Sequence, residues 1–221
     1  MITGERIETY LDSLDTGNTP FLDEIESQAK KDLVPVIKRP TQRLLRLLLQ
    51  TQKPQTILEV GTAVGFSAIL MAENTPETCR ITTIENYEKR ILAAKENIAG
   101  SGFKDRIDLI EGDATDVLRE LSKQQKSFDL IFMDAAKGQY LQFLEPVKEM
   151  MHAGSMLISD NVLQDGDVLE SRFAVTRRNR TIHSRMREYL YVLTHTENLV
   201  TDILPVGDGV AVTVLKEPDL S

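Results

Sequence analysis

Four short apolar runs rich in β-branched residues recur along the chain, at Thr56–Val60, Arg80–Glu85, Arg106–Glu111 and Phe128–Asp134. A fifth, Ser155–Asp160, follows Gly154. Runs of this length bounded by turn residues predict strands. The stretches between them carry helical spacing. Within Glu88–Ala99, the apolar residues Ile91, Leu92, Ala94 and Ile98 fall at i, i+1, i+3 and i+7, close to helical spacing, and Gly100 and Gly102 end that helix. Strand and helix alternating in this way predict βαβ units, with a parallel sheet covered by helices on both faces. The end of the chain breaks the rhythm: Leu199–Leu204 and Val210–Leu215 are strand-like, and Val206-Gly-Asp-Gly209 separates them. Asp208-Gly209 predicts a tight antiparallel hairpin, because such turns need positive φ. Ile7–Leu14 and Thr41–Gln50 read as helices surplus to the sheet, placed over one edge or over the site. The expected fold is α/β and Rossmann-like: a seven-stranded, mostly parallel sheet with a C-terminal antiparallel hairpin and extra N-terminal helices.

No repeat, low-complexity tract or linker-like run interrupts the 221 residues. They predict one domain, 1–221, with residues 1–52 as a helical cap within it. A hydrophobic share of 41% and a charged share of 27% fit an ordinary globular core. The one cysteine, Cys79, excludes an internal disulfide and fits a reducing, cytoplasmic setting. Glu5, Glu8, Asp12 and Asp15, with no apolar run beside them, argue against a signal peptide. No stretch approaches the roughly 18 apolar residues of a membrane span, so no membrane partner is expected. A net charge of −8 argues against indiscriminate coating of nucleic acid. That charge is unevenly spread. Arg172, Arg177, Arg178, Arg180, Arg185 and Arg187 lie in one stretch without an acid, a basic patch on an acidic body.

Glu59-Val-Gly61-Thr-Ala-Val-Gly65 follows the first strand and opens a helix near Phe66. Gly61 permits a tight turn, and Gly65 would let the loop backbone approach a ligand. A dinucleotide fingerprint needs G-x-G-x-x-G; here Ala63 stands at the middle glycine. Glu59, facing the loop, would repel a phosphate and suit a cationic amino-acid group. Glu85 closes the second strand, where a carboxylate can take both hydroxyls of a ribose. Glu111-Gly112-Asp113-Ala114 closes the third, where an adenine amino group could be held. Alone, the glycine loop would only make a turn. Acids at successive strand ends favour a ligand, since ligands bind at the carboxyl ends of such strands. A ribose and adenine without a phosphate, next to a positive charge, describe S-adenosylmethionine better than NAD.

The fourth strand ends at Asp134 and the fifth at Asp160-Asn161. As neighbours in a parallel sheet they would share one rim. Two carboxylates and an amide oxygen, without His or Cys, suit a hard cation that keeps some waters: Mg²⁺, Mn²⁺ or Ca²⁺. Asp-Asn after a strand is by itself also a common turn signal. Lys137 lies three residues past Asp134; beside a cation its ammonium is disfavoured, which suits it to act as a base.

Together the runs ILEVGTAVGFSA, ITTIE, EGDA, FMDAAK and SDNVL resemble the metal-dependent O-methyltransferases of the catechol and caffeoyl-CoA type. The resemblance implies a class I methyltransferase fold and a homodimer. It implies Asp134, Asp160 and Asn161 as metal ligands, Lys137 as base and Asp134 as a further catalytic and cofactor-facing group. It also implies a cofactor pocket of Glu59, the Gly61–Gly65 loop, Ser67, Glu85, Asp113 and Ala114. Ile37 enters from the segment before Thr41. Where family members carry an acid just after that segment, this chain has Lys38-Arg39.

Within that family, the stretch around Arg177, Arg178, Arg180, Arg185 and Arg187 resembles the bacterial branch that methylates 5-hydroxyuridine in the tRNA anticodon. The 5-hydroxyl and neighbouring O4 of that base form an oxygen pair much like a catechol. Arginine forks suit phosphates, which dominate nucleic-acid affinity. The same stretch also reads as a solvated helix, with Ile182, Met186, Leu190 and Leu193 as its buried stripe and its arginines facing water or a partner subunit. A catechol or hydroxycinnamoyl-type small molecule is the alternative acceptor.

Overall fold

The structure is a computed structural model that describes residues 4–171, 173–176 and 180–217. Three helices, α1 (Glu5–Ser13), α2 (Pro20–Lys31) and α3 (Arg39–Gln52), precede the sheet. Then β1 (Thr56–Val60), α4 (Phe66–Glu73), β2 (Arg80–Glu85), α5 (Glu88–Gly100), β3 (Ile107–Glu111) and α6 (Ala114–Lys123) alternate. The second half continues with β4 (Phe128–Met133), α7 (Tyr140–Glu149), β5 (Met151–Ser159), α8 (Arg180–His195), β6 (Leu199–Leu204) and β7 (Val210–Leu215). Short 3₁₀ turns at Lys137–Gln139 and Gln164–Leu169 follow β4 and β5. The seven strands lie in the order β3-β2-β1-β4-β5-β7-β6. β1 to β5 are parallel, and β7 joins β5 and β6 antiparallel. Among the described residues, no helix is long and apolar enough to cross a membrane.

Side-chain alternation along each strand divides the core between the two faces of the sheet. Ile57, Ile81, Leu130 and Phe132 pack with residues of α2, α3, α4 and α5. Leu58, Ile84, Ile131 and Met133 pack with α6, α7 and α8. α4 is buried almost all round, between the sheet and its neighbouring helices. In α5 the buried stripe is Ile91, Ala94 and Ile98, while Leu92 is 57% exposed.

The fold corrects several expectations. α2 lies between the two anticipated N-terminal helices; Thr19 caps it by accepting a bond from the Leu22 backbone N–H, with Pro20 in its first turn. β5 starts at Met151 rather than after Gly154. Gly154, at φ 85°, sits inside the strand, where the pairing with β4 shifts register, so it marks a bulge rather than a start. In the final hairpin the positive φ falls at Gly207 and Gly209 (57° and 88°), not at Asp208.

Gly61 and Gly65 answer to different constraints. A Cβ on Gly61 would lie 2.1 Å from the carbonyl oxygen of Asp134, at φ 105°. A Cβ on Gly65, at φ 85°, would only touch Ala94 and Ile98 at ordinary distance. Gly65 therefore answers to the left-handed backbone that opens α4 rather than to a close approach. Gly61→Ala is expected to destabilise the fold by about 3 kcal/mol or more, through strain plus displacement of the β4 end. Gly65→Ala should cost only about 1–2 kcal/mol, from the left-handed backbone alone. Urea unfolding of the two variants should show this order.

Candidate functional site

The carboxyl ends of β1, β2, β3, β4 and β5 open into a cavity of about 500 Å³. Glu85, Asp113, Asp134 and Asp160 reach its wall from successive strand ends, and Pro35 to Lys38 and Asp208 close the far side. The glycine loop is tied to β2 rather than only to its own strand. The N–H groups of Gly61 and Thr62 both donate to the Ile84 carbonyl, at 3.1 and 3.0 Å. The Ala63 N–H donates to a Glu85 oxygen at 2.9 Å, and the other oxygen accepts from the N–H groups of Asn86 and Tyr87 at 3.0 Å. Three backbone donors therefore orient the Glu85 carboxylate at the cavity edge. Asp113 caps α6 through the Thr115 N–H at 2.9 Å and also lines the cavity, as do Ala114, Gly61 and Ile37.

Glu59, Gly65 and Ser67 do not line the cavity. Alternation along β1 turns Glu59 to the α4 face, on the same side as Ile57, where it is fully buried. There it accepts bonds from the hydroxyls of Ser67 and Thr83. Thr83 in turn meets Thr62 of the loop at 2.5 Å. Glu59 thus joins β1, β2 and α4 beneath the loop instead of facing a ligand above it. Burial pushes its carboxyl up to about 7, against the pull of its two hydroxyl partners.

The acidic end of the cavity follows from strand register. Met133 pairs with Ser159, so the next residues, Asp134 and Asp160, leave adjacent strands side by side. The Asp134 N–H donates to the Val60 carbonyl and the Asp160 N–H to that of Met133, both at 3.0 Å. Tyr140 sits beneath, its hydroxyl 3.1 Å from the carbonyls of Met133 and Asp160. Burial pushes Asp134 up to about 6, with Glu59 and Asp208 adding to the rise and Lys137 opposing it. Burial and the Asp134 charge push Asp160 up to about 7. Asn161 and Lys137 line the same cavity.

Asp208 is a participant that sequence reasoning treated only as a turn residue. It accepts a bond from the Asn161 side-chain nitrogen at 2.8 Å and pairs with the Lys38 ammonium. Thr41, buried at the start of α3, lies 3.4 Å from an Asp160 oxygen. Among the described residues, no three His, Cys, Asp or Glu side chains form a set that could hold a metal by themselves. Asn161 places an amide beside Asp160 on the same cavity wall. Two buried carboxylates leaving adjacent strands, with an amide beside them, are chemically suited to a hard divalent cation.

The arginine stretch is partly described. Arg172, Arg177 and Arg178 lie outside the described residues. Arg185 and Arg187 are exposed on α8, and Arg180 is partly so; Met186, Tyr189 and Leu193 form the buried side. The Arg185 guanidinium donates to the Gly138 carbonyl at 2.9 Å, one residue past Lys137. The basic helix therefore borders the cavity.

The chain matches the O-methyltransferase family over residues 13–216. It is 31% identical over 169 residues to a catechol O-methyltransferase of Niastella koreensis, covering 75% of this chain and 76% of that protein. A Staphylococcus aureus structure provisionally assigned as a caffeoyl-CoA O-methyltransferase superposes with a TM-score of 0.87 at 29% identity, covering 96% of this chain and all of that one. An O-methyltransferase from Bacillus cereus, solved in complex with SAH, superposes with a TM-score of 0.84 at 25% identity, covering 96% and 97%.

Glu59 yields a pH-dependent prediction. A carboxyl whose folded value is about 7, above its ordinary 4.5, favours the folded state while protonated. That stabilisation is fully present below pH 4.5 and is lost as pH rises through 7. Glu59→Gln keeps a partner for both hydroxyls, which can turn to donate or accept, and carries no charge. Urea unfolding at pH 5 and pH 8 should show wild type losing at most about 3 kcal/mol across this range through Glu59. The variant should show a visibly smaller loss.

Proposed function

Because the chain belongs to the O-methyltransferase family, we propose that it transfers the methyl group of S-adenosylmethionine to one of two adjacent oxygens on its acceptor, at a divalent cation held by Asp134, Asp160 and Asn161. The observation that carries this reading is the pairing of Asp134 with Asp160 at adjacent strand ends, in the same cavity as the Gly61 loop and Glu85. Glu85, oriented by its three backbone donors, takes the ribose hydroxyls; Asp113 and Ala114 hold the adenine. Gly61, Ile37 and Asp134 border the methionine end. Glu59 and Ser67 support the loop from below. A bound divalent cation would supply the charge that gathers both acceptor oxygens and favours loss of the hydroxyl proton.

Lys137 stands three residues past Asp134 on the 3₁₀ turn and faces the same cavity. As the free amine, its Nζ accepts the acceptor's hydroxyl proton. As the new C–O bond forms, the C–S bond of the sulfonium breaks and S-adenosylhomocysteine leaves. Ala135, Ala136 and Phe143 line this part of the cavity with apolar groups.

A catechol-type small molecule is the acceptor that the relatives' names support. A second reading, 5-hydroxyuridine in tRNA, is favoured by one specific observation: α8 turns arginines outward beside the cavity, with Arg185 anchored one residue from Lys137.

Asp160→Ala should abolish transfer while leaving S-adenosylhomocysteine affinity, read by calorimetry, within a few-fold of wild type. Glu85→Ala should weaken that affinity by roughly 1.5–3 kcal/mol, because it removes charge-assisted hydrogen bonds. Labelled S-adenosylmethionine with Mg²⁺, offered a catechol in one reaction and 5-hydroxyuridine-containing tRNA in another, separates the two acceptors. Arg180→Glu with Arg187→Glu leaves the Arg185 anchor in place. If tRNA is the acceptor, this pair should lower the salt dependence of tRNA binding by roughly 0.7–0.9 per lost phosphate contact. Catechol turnover should not change.

A further inference from the structure

The hairpin turn between β6 and β7 reaches back to the cation site through backbone and side chain together. The Asp208 carbonyl accepts the N–H groups of Leu163 and Gln164, at 2.9 and 3.2 Å, and the Gly209 carbonyl accepts that of Val162 at 2.9 Å. This approach requires glycine, since a Cβ on Gly209 would lie 2.3 Å from the Leu163 Cγ. The turn therefore grips the segment that follows Asn161. The Asp208 side chain completes the grip: one oxygen accepts an N–H of the Asn161 amide, and the other pairs with Lys38, the residue just before α3. A Cβ on Gly207 would meet the Thr41 hydroxyl at 2.6 Å, so the start of α3 presses directly on the turn.

We infer that Asp208 is a positioning residue that fixes the Asn161 amide with its oxygen toward the cation site, and that Lys38 holds Asp208 in that task. A carboxylate only accepts hydrogen bonds, so the amide must offer it the NH₂ group, leaving the oxygen for the other side. Without that acceptor the amide can turn over and present a donor where a cation needs a lone pair. Partners of this kind set the orientation of ligating side chains and their affinity. The inference rests on the reading that Asp134, Asp160 and Asn161 hold the cation.

The test measures binding rather than turnover. Mn²⁺ affinity is read from the loss of its free paramagnetic resonance signal, with S-adenosylhomocysteine affinity measured in parallel by calorimetry. Asp208→Ala should weaken Mn²⁺ binding by about 10–100-fold. Removing a charge near a cation would also weaken binding, so the decisive comparison is made in a Lys38→Met background. There Asp208→Asn and Asp208→Ala both lack the charge, and only Asn can still accept from Asn161. The Asn variant should bind Mn²⁺ at least about tenfold more tightly than the Ala variant, with equal S-adenosylhomocysteine affinity. If the Ala variant does not fold, Asp208→Ser, compatible with the turn and too short to reach Asn161, takes its place. Equal Mn²⁺ affinity in the two double variants overturns the inference, as does a parallel fall in S-adenosylhomocysteine affinity. Wild type that takes up no Mn²⁺ overturns the cation reading and this inference together. Wild-type binding with indifferent double variants overturns this inference alone.

Discussion

Asp134 and Asp160 stand side by side in a buried frame, and the surrounding structure has to tolerate their repulsion. Both are pushed well above the ordinary carboxylate range, first by loss of water and then by nearby like charge. Burying such groups without full compensation costs stability. The two apolar clusters that cover the sheet supply the offset, and local ties keep the pair from relaxing apart. Tyr140 spans the carbonyls of Met133 and Asp160 from below, and Thr41 meets Asp160 from the side. Strain of this kind persists only where the neighbourhood over-determines it, and such places are where function is found.

The glycine-loop side and the acidic side of the cavity are mechanically one object. The Asp134 carbonyl packs where a Gly61 side chain would be, and the Asp134 N–H donates to the last carbonyl of β1. Any shift of the glycine loop is therefore felt at the end of β4. The loop is itself fastened to β2 through Ile84 and Glu85. Transfer of a methyl group depends on two bound partners meeting within a fraction of an ångström, and a shared backbone framework provides that register without relying on long side chains.

The two ends of the chain meet over the strand ends. Pro35 to Lys38 and Asp208 line the cavity, and the turn at Gly207 packs against Thr41 at the start of α3. Lys38 and Asp208 pair across that meeting. Helix α8 adds positive charge beside the cavity on an otherwise acidic protein.

The strand runs, the helix Glu88–Gly100, the glycine loop and the acids closing successive strands were legible in the sequence, because period and turn chemistry act over a few residues. The rim shared by Asp134, Asp160 and Asn161 was also legible, since a parallel order places consecutive strand ends together. The direction of Glu59 was not: alternation puts it on the side of Ile57, but only the packing of α4 makes that side a buried pocket with Ser67 and Thr83 waiting in it. The side of Gly65 that faces Ala94 and Ile98 of α5 was not legible either, because it depends on how that helix packs. Bulging of β5 at Gly154 depends on its partner strand. The Lys38–Asp208 pair and the grip on Asn161 join residues from opposite ends of the chain. No local pattern encodes such contacts, because they arise only when the cap and the hairpin are brought together over a finished sheet.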